Sequence, residues 1–320
     1  MTTKKKRSIG LFLFVFLLAG APEFSAWAQT PFPTKSISLV VPFAAGGAVD
    51  SSVRILANEA EKILGQKLLI INKPGGGAAE GQGFVARSKP DGYTILAMTS
   101  SVVTNTLTKR VDFTIDSFEP IMMYCMDPEV MFVYAQAPFK NLEDMIQKGK
   151  KDPITHATPG HSTSHHVASM ILEKISGIKF KYIHTKGGGE QIPMVAGGHA
   201  QCMLGVWGPS RSMVEQSKLR VLGVMSEARD PQLPDVPTFK EKGWPIIYGA
   251  WRGIAVSKGT PPEIVEKLYQ AFHKASEQQE VKDKFFKAGY PLIQKGGKQF
   301  ASFVRTDYES VKEILSSLKK

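Results

Sequence analysis

The chain of 320 residues has only two cysteines, Cys125 and Cys202. One distant pair is no disulfide framework, and both stand in apolar contexts (Met122-Met123-Tyr124-Cys125 and Cys202-Met203-Leu204), which predicts buried free thiols. No apolar run approaches the ~18 residues of a membrane span. A Gly-x-Ser-x-Gly elbow is missing, which argues against a serine hydrolase. Gly75-Gly76-Gly77 and Gly81-x-Gly83 lack the G-x-G-x-x-G spacing of a dinucleotide loop, and Pro74 interrupts the turn. His161, His165 and His166 crowd together, but no acidic third ligand is near and His161 precedes the helix that carries the others, so no zinc site is expected. Ser162 and Ser164 beside these histidines read as a helix opening. Solenoid repeats and low-complexity segments are also lacking. These gaps leave no expected catalytic group, metal or cofactor.

At the N-terminus, Lys4, Lys5, Lys6 and Arg7 precede an apolar run of 13 residues from Ile9 to Ala21, and Ala26-Trp27-Ala28 has the small-x-small pattern of a signal-peptidase site. Residues 1–28 are therefore expected to be a signal peptide, with the mature chain starting at Gln29. No cysteine stands near that cleavage point to carry a lipid anchor. The formal net charge is +11, of which the segment 1–28 holds four basic residues and one acidic, Glu23. The remaining lysines are scattered, densest at Lys148, Lys150 and Lys151, without aromatic–basic interleaving. They predict a basic solvated surface that favours anionic partners in general and give no sign of nucleic-acid binding.

Strands and helices alternate over the rest. Strand 37–43, helix 50–64, strand 68–72, helix 79–87 and strand 93–98 form a βαβαβ run, which predicts a parallel sheet with helices on its faces. Within the first helix Val53, Leu56, Ala57, Ala60 and Ile63 are read as one apolar face. A second alternating block begins at strand 130–135 and continues as helix 141–148 closed by Gly149, strand 154–157, helix 164–175, strand 180–184, helix 191–195, strand 200–204, helix 209–216 and strand 219–225. A proline-rich loop follows, then strand 250–256 returning to the first block and helices 261–276, 280–288 and 298–317. Two similar blocks joined by extended crossings predict two α/β lobes with a ligand cleft between them, at the carboxyl ends of the strands.

Two glycine loops stand at such strand ends: Pro42-Phe43-Ala44-Ala45-Gly46-Gly47-Ala48-Val49-Asp50 and Asn72-Lys73-Pro74-Gly75-Gly76-Gly77. A strand, a glycine turn and a helix start leave unpaired N–H groups at the positive end of the helix dipole, which suits a carboxylate. Neither loop carries an obvious nucleophile or base. These loops, with Pro90-Asp91-Gly92-Tyr93-Thr94, Asn105, Phe118-Glu119-Pro120-Ile121, Leu233-Pro234-Asp235-Val236-Pro237-Thr238, Trp251-Arg252-Gly253 and Gly259-Thr260-Pro261, resemble in order and spacing the substrate-binding proteins of tripartite tricarboxylate transporters, the Bug family. The resemblance runs over nearly the full mature length.

It implies a bilobal periplasmic-binding-protein (Venus flytrap) fold, with lobe one at 30–131 plus 253–320 and lobe two at 132–252. It also implies a monomeric, non-enzymatic receptor in the periplasm that captures a small carboxylate and delivers it to membrane subunits of a transporter. By position, Phe43, Ala44, Ala45, Gly46 and Gly47 would supply backbone donors and a wall, faced by Gly76, Gly77 and Ala78. Asp50 is either an N-terminal charge–dipole partner or a ligand-orienting group, and Thr99 and Ser100 are either hydroxyl donors or strand-end caps. In lobe two Gly160, Thr163 and His166 fit a Gly-x-Gly-Ser-x-x-His run in which Ser162 replaces a glycine; Thr163 would cap the helix, and His166 is either structural or a ligand contact. His184-Thr185-Lys186-Gly187 lacks the family's tyrosine, Gly205 replaces a common aspartate, and Trp207 follows. These departures favour an aromatic or bulky apolar carboxylate, unless Trp207 is core. Two alternatives stay open: an exported hydrolase or isomerase using the same cleft, and a receptor serving a membrane sensor.

Overall fold

The computed structural model describes residues 1–2, 32–161 and 163–318. Apart from Met1 and Thr2, the expected signal peptide lies outside the described residues, as does Ser162. The chain divides into Met1–Phe32 and Pro33–Lys320, and the second unit carries the architecture that follows. Among the described residues no helix is long and apolar enough to cross a membrane.

The first sheet grows from β1 (Ile37–Val41), whose apolar run is almost wholly buried, as a strand covered on both faces must be. β1 lies between β2 (Leu68–Asn72) and β3 (Thr94–Thr99) and pairs with both in parallel, as the βαβαβ pattern predicts. The connecting helices are α1 (Ala48–Leu64) and α2 (Ala79–Ala86). Val53, Leu56, Ala57, Ala60 and Leu64 are the buried face of α1, whereas Ile63, expected on that face, is 43% exposed. Eleven residues at 3.6 per turn bring Leu64 back over Val53; Ile63 falls about a quarter turn away.

α3 (Ser101–Thr108) and β4 (Phe118–Pro128) were not anticipated. The β-branched, threonine-rich α3 has little intrinsic helix preference, and it forms packed against α2 and α10 (Gly297–Leu318). β4 contains Pro120, a strand-breaking signal, accommodated where its pairing with β10 (Gly249–Ser257) shifts register at Ile254/Ala255. β10 and the unanticipated edge strand β11 (Leu292–Gly296) pair antiparallel to β4, giving a mixed sheet in the order β11-β4-β10-β3-β1-β2. α1 packs on α8 (Pro262–Glu277) and α9 (Gln279–Lys287), and α10 packs on β4.

The second sheet has the order β7-β6-β8-β5-β9, from β5 (Val130–Tyr134), β6 (Ile154–Thr158), β7 (Phe180–His184), β8 (Cys202–Gly205) and β9 (Leu219–Val224). Its helices are α4 (Leu142–Lys151), α5 (Ser164–Ser176), α6 (Gly188–Ala196) and α7 (Trp207–Glu215). Gly149 does not end α4 as expected. The helix runs on to Lys151, and the glycine is needed because a methyl there would overlap Ile178. The chain passes between the sheets through Glu129 and again between β9 and β10. These crossings are tied together: Glu129 N–H donates to the Tyr248 carbonyl at 3.0 Å, and Met225 N–H to the Glu129 carbonyl at 2.7 Å. Both cysteines are free and buried.

Candidate functional site

Between the sheets lies a cavity with about 60 Å³ for water centres, several times the roughly 10–15 Å³ that one water needs. Strands of both sheets end at it, and five helices begin at it. Its wall includes Ala48 and Val49 from the first turn of α1, Ser101 of α3, Ser164 and His165 of α5, Gly188 of α6, and Pro209 and Ser210 of α7. Each helix start brings partial positive charge and unpaired N–H groups to the same space. Among the described residues, the N-cap residues of α1, α3, α6 and α7 make no side-chain capping hydrogen bond. Thr99, only 5% exposed at the end of β3, also lines the cavity, and its hydroxyl has no hydrogen-bond partner among the described residues. A buried hydroxyl without a partner is costly unless a solute or water completes it.

The wall includes five of the residues singled out in the sequence: Phe43, Gly47, Thr99, Thr163 and Gly205. The others support or surround it. Asp50 is a hub of the first loop. Its carboxylate accepts from Gly46 N–H at 3.0 Å, from Arg54 Nε at 3.0 Å and Nη2 at 2.9 Å, and from Asn72 Nδ2 at 3.0 Å. Burial alone would raise its pKa, but these donors hold it below the ordinary carboxylate value. Asp50 thus ties the first loop to the strand end from which the second loop leaves. Ser100 precedes α3 and donates its N–H to the Trp251 carbonyl at 3.2 Å.

Ala44, Ala45, Gly76, Gly77 and Gly160 form the rim, where the lobes meet. A methyl on Gly187 would stand 3.5 Å from Ala44 N, and one on Gly189 3.1 Å from the Ala45 carbonyl oxygen. Gly76, Gly77 and Ala78 all have positive φ, at 54°, 61° and 79°, so the second loop curls tightly into the start of α2. Gly77 lies against the His161 carbonyl, with no room for a methyl between them, and one on Gly160 would be 3.2 Å from Gly77 Cα. Lys109 clasps both sides, donating to the Gly76 carbonyl and, at 2.8 Å, to the His161 carbonyl. Burial lowers its amine to about 8.

In the second lobe Thr163 caps α5, accepting from His166 N–H at 3.4 Å, and donates its hydroxyl to the Gly160 carbonyl at 2.9 Å. His166 is 5% exposed and packs behind the cavity against Tyr182, with ring centres 4.7 Å apart, and against His184 and His161 at 5.0 and 4.9 Å. Burial, then the neighbouring His184, His161 and Lys109, pull its pKa down to about 3. No group of histidine, cysteine and acidic side chains among the described residues is arranged to hold a metal ion. Thr185 spends its hydroxyl on the Thr158 and Gly187 carbonyls, both at 3.0 Å.

Trp207 is not part of the wall. Its ring lies in the second-lobe core with Val130, Phe132 and Leu233, and Nε1 donates to Gln232 Oε1 at 3.1 Å. Trp251 belongs to the lining, but its indole is buried against Phe300 and Phe303 of α10, with Nε1 donating to Asp307 at 2.7 Å. The argument for an aromatic solute from Trp207 therefore loses its basis. At Gly205 an added Cβ would stand 3.8 Å from the Phe132 ring, so the glycine leaves open wall where a side chain would fit.

Sequence reasoning assigned no role to Ser101, His165, Arg252 and Trp251, all at the wall, or to Glu129 behind it. Trp251-Arg252-Gly253 was a visible motif, but nothing in its spacing tells which residue faces a cavity. Arg252 is 2% exposed, paired with buried Asp127, and it donates to Cys125 Sγ at 3.2 Å. Glu129, fully buried, contacts His165 Nδ1 through both carboxylate oxygens at 2.7 and 2.6 Å.

This arrangement has known relatives. The tripartite tricarboxylate transporter family receptor model matches residues 52–319. The UPF0065 protein in the gbd 5' region of Cupriavidus necator is 32% identical over 305 residues, covering 93% of this chain and 92% of the relative. The solved periplasmic binding protein BugD superposes with a TM-score of 0.85 at 26% identity, over 90% of this chain and 99% of its own. MatC from Rhodopseudomonas palustris, solved with bound malate, superposes with a TM-score of 0.85 at 25% identity, over 88% and 99%. The fold is thus the bilobal one of periplasmic binding proteins. With the family model matched over most of its length, the chain belongs to the tripartite tricarboxylate transporter receptor family, which includes the Bug proteins.

Proposed function

We propose that this chain is a periplasmic receptor that closes on a small organic carboxylate and hands it to the membrane subunits of a tripartite tricarboxylate transporter. The observation that carries this reading is the meeting of five helix N-termini and the Thr99 hydroxyl, without a partner among the described residues, at one cavity. An anion there is favoured by about 0.3–1 kcal/mol per helix end and roughly 1.5–3 kcal/mol per hydrogen bond to its charge. A few such contacts with partial apolar burial support micromolar binding, about −8 kcal/mol. One carboxylate group would sit against the start of α1 and Thr99, while the solute's remainder meets α5, α6 and α7. The lobes would rotate about Glu129 and the β9–β10 crossing, so that binding and closure are one event and the closed shape is what the membrane partner reads. Export would follow from the signal at 1–28, cleaved before Gln29.

Calorimetry and thermal-shift measurements with aliphatic monocarboxylates and dicarboxylates, aromatic carboxylates and acidic amino acids test the proposal. Selective, saturable stabilisation of the native state by a carboxylate is the expected result. Turnover of a carboxylate or ester by the purified protein, or a preference for cations or neutral sugars, would overturn it.

A further inference from the structure

We infer that His165, held by the buried carboxylate of Glu129, reads a second oxygen of the solute, so that the receptor selects a carboxylate carrying a further acceptor, foremost a dicarboxylate. This rests on the carboxylate reading above and adds which part of the solute the second lobe recognises.

The argument is one of proton count. Glu129 is fully buried and the His165 side chain is 14% exposed, on the wall of the cavity. Nδ1 is committed to Glu129, so Nε2 is the ring nitrogen left for a solute. A dyad this buried is favoured in its electrically neutral form, because an uncompensated buried charge costs several kcal/mol. Neutrality has two arrangements: carboxylate with imidazolium, or carboxylic acid with neutral imidazole. They differ only in where the proton between Oε and Nδ1 resides. In both, Nε2 carries a hydrogen. The dyad therefore offers the cavity an N–H donor whichever partner holds the shared proton. Burial pushes the Glu129 carboxyl upward, opposed by His165, which keeps that proton within the dyad. The nearby Arg252 is already balanced by Asp127. The donor is the second residue of α5, which belongs to the second sheet's side of the cavity, whereas Thr99 and the start of α1 line the first sheet's side. A solute reaching both needs an oxygen at each end.

The same count predicts a pH dependence. Loss of the dyad's proton leaves a bare lone pair on Nε2, which repels a carboxylate oxygen, so affinity falls as pH rises. The other groups facing the dyad are Asp127 and Arg252 from β4 and β10, Tyr248 from the crossing and His156 from β6. Asp127 and Arg252 are paired, burial raises the Tyr248 phenol, and burial pulls His156 down to about 3. None of these changes charge between about pH 6 and 9. Lys109 at the rim, lowered to about 8, titrates in this range but acts on closure with either member of a matched pair, so it is the pH slope of the dicarboxylate preference that belongs to the dyad.

The test is calorimetry with chain-matched pairs, succinate against butyrate and adipate against hexanoate, on the wild type, His165→Leu and His165→Gln. The wild type should prefer one dicarboxylate over its monocarboxylate by about tenfold or more, with that preference declining toward high pH. His165→Leu should abolish the preference, the dicarboxylate losing about tenfold more affinity than its matched monocarboxylate. His165→Gln, which keeps a neutral donor, should retain most of the preference and lose its pH slope. Equal loss for both members of a pair, or a preference unaffected by His165→Leu, overturns the inference while leaving the receptor reading intact. A wild type that binds no carboxylate at all overturns both. If His165→Leu fails to fold, His165→Gln decides alone, since a retained pH slope of the preference would remove the dyad from recognition.

Discussion

Gly77 shows how one missing carbon shapes this receptor. Its φ of 61° curls the second loop, and its absent side chain lets the loop touch the His161 backbone of the opposite lobe. Gly77→Ala adds a methyl where a backbone carbonyl stands, in a conformation that already costs an L-residue about 1–2 kcal/mol. Affinity for the cognate solute should drop by about tenfold or more, while the ligand-free protein keeps its circular-dichroism spectrum and Tm within a few degrees. Unchanged affinity would mean that closure does not bring these loops together. Gly46 differs: its φ is 80°, but a methyl there meets nothing within 4 Å, so substitution acts through backbone strain and not through the clash that a glycine beside a ligand suggests. At this scale sequence reasoning could name the glycines but not their functions, because the difference lies in what each faces.

The elements meet at β10 and α10 through one hydrogen bond, from Trp251 Nε1 to Asp307. Burial raises the Asp307 carboxyl from 3.8 to about 6, with the Trp251 donor pulling the other way. A carboxyl with a raised folded-state pKa contributes most below its unfolded value and loses that contribution as pH climbs through the folded one. The destabilising window here runs from 3.8 to about 6, and above it the buried charge persists. Asp307→Asn should therefore raise Tm at neutral pH and flatten its decline from acid toward neutral, read by calorimetry at a series of pH values. A lower Tm at neutral pH would show that Trp251 needs the charged acceptor more than burial opposes it. Periodicity revealed α10. It could not reveal β4 or β11, because Pro120 reads as a breaker and β11 is a short edge strand whose pairing comes from β4.

For the whole molecule the balance is between open and closed lobes. Lys109 stands at that boundary, donating to Gly76 of its own lobe and His161 of the other. Replacing it by methionine removes the clasp and keeps most of the stem. Lys109→Met should enlarge the radius of gyration of the ligand-free protein in small-angle scattering. It should also weaken the apparent affinity in proportion to the lost fraction of closed molecules. Identical scattering with and without the lysine would exclude Lys109 as a closure contact. The cavity owes its character to the same assembly: five helices from separate parts of the chain present their starts to one space only because two sheets face each other across Glu129.

What the sequence by itself determined is the local grammar. Apolar runs, 3.6-residue periodicity and glycine turns act over a few residues, and they specified the parallel βαβαβ core, most of the helices, the two-lobe plan and the loops at the strand ends. The ordered motifs were enough to indicate the family. Tertiary structure alone decided which side chains share the cavity. It sent Trp207 into the core, brought Ser101 and His165 to the wall, gave Asp50 to the first loop's own scaffold, left the Thr99 hydroxyl without a partner among the described residues, and joined Glu129 to His165 across 36 residues of chain. Those assignments depend on distances between segments that never interact locally, and such distances exist only once the two sheets have packed.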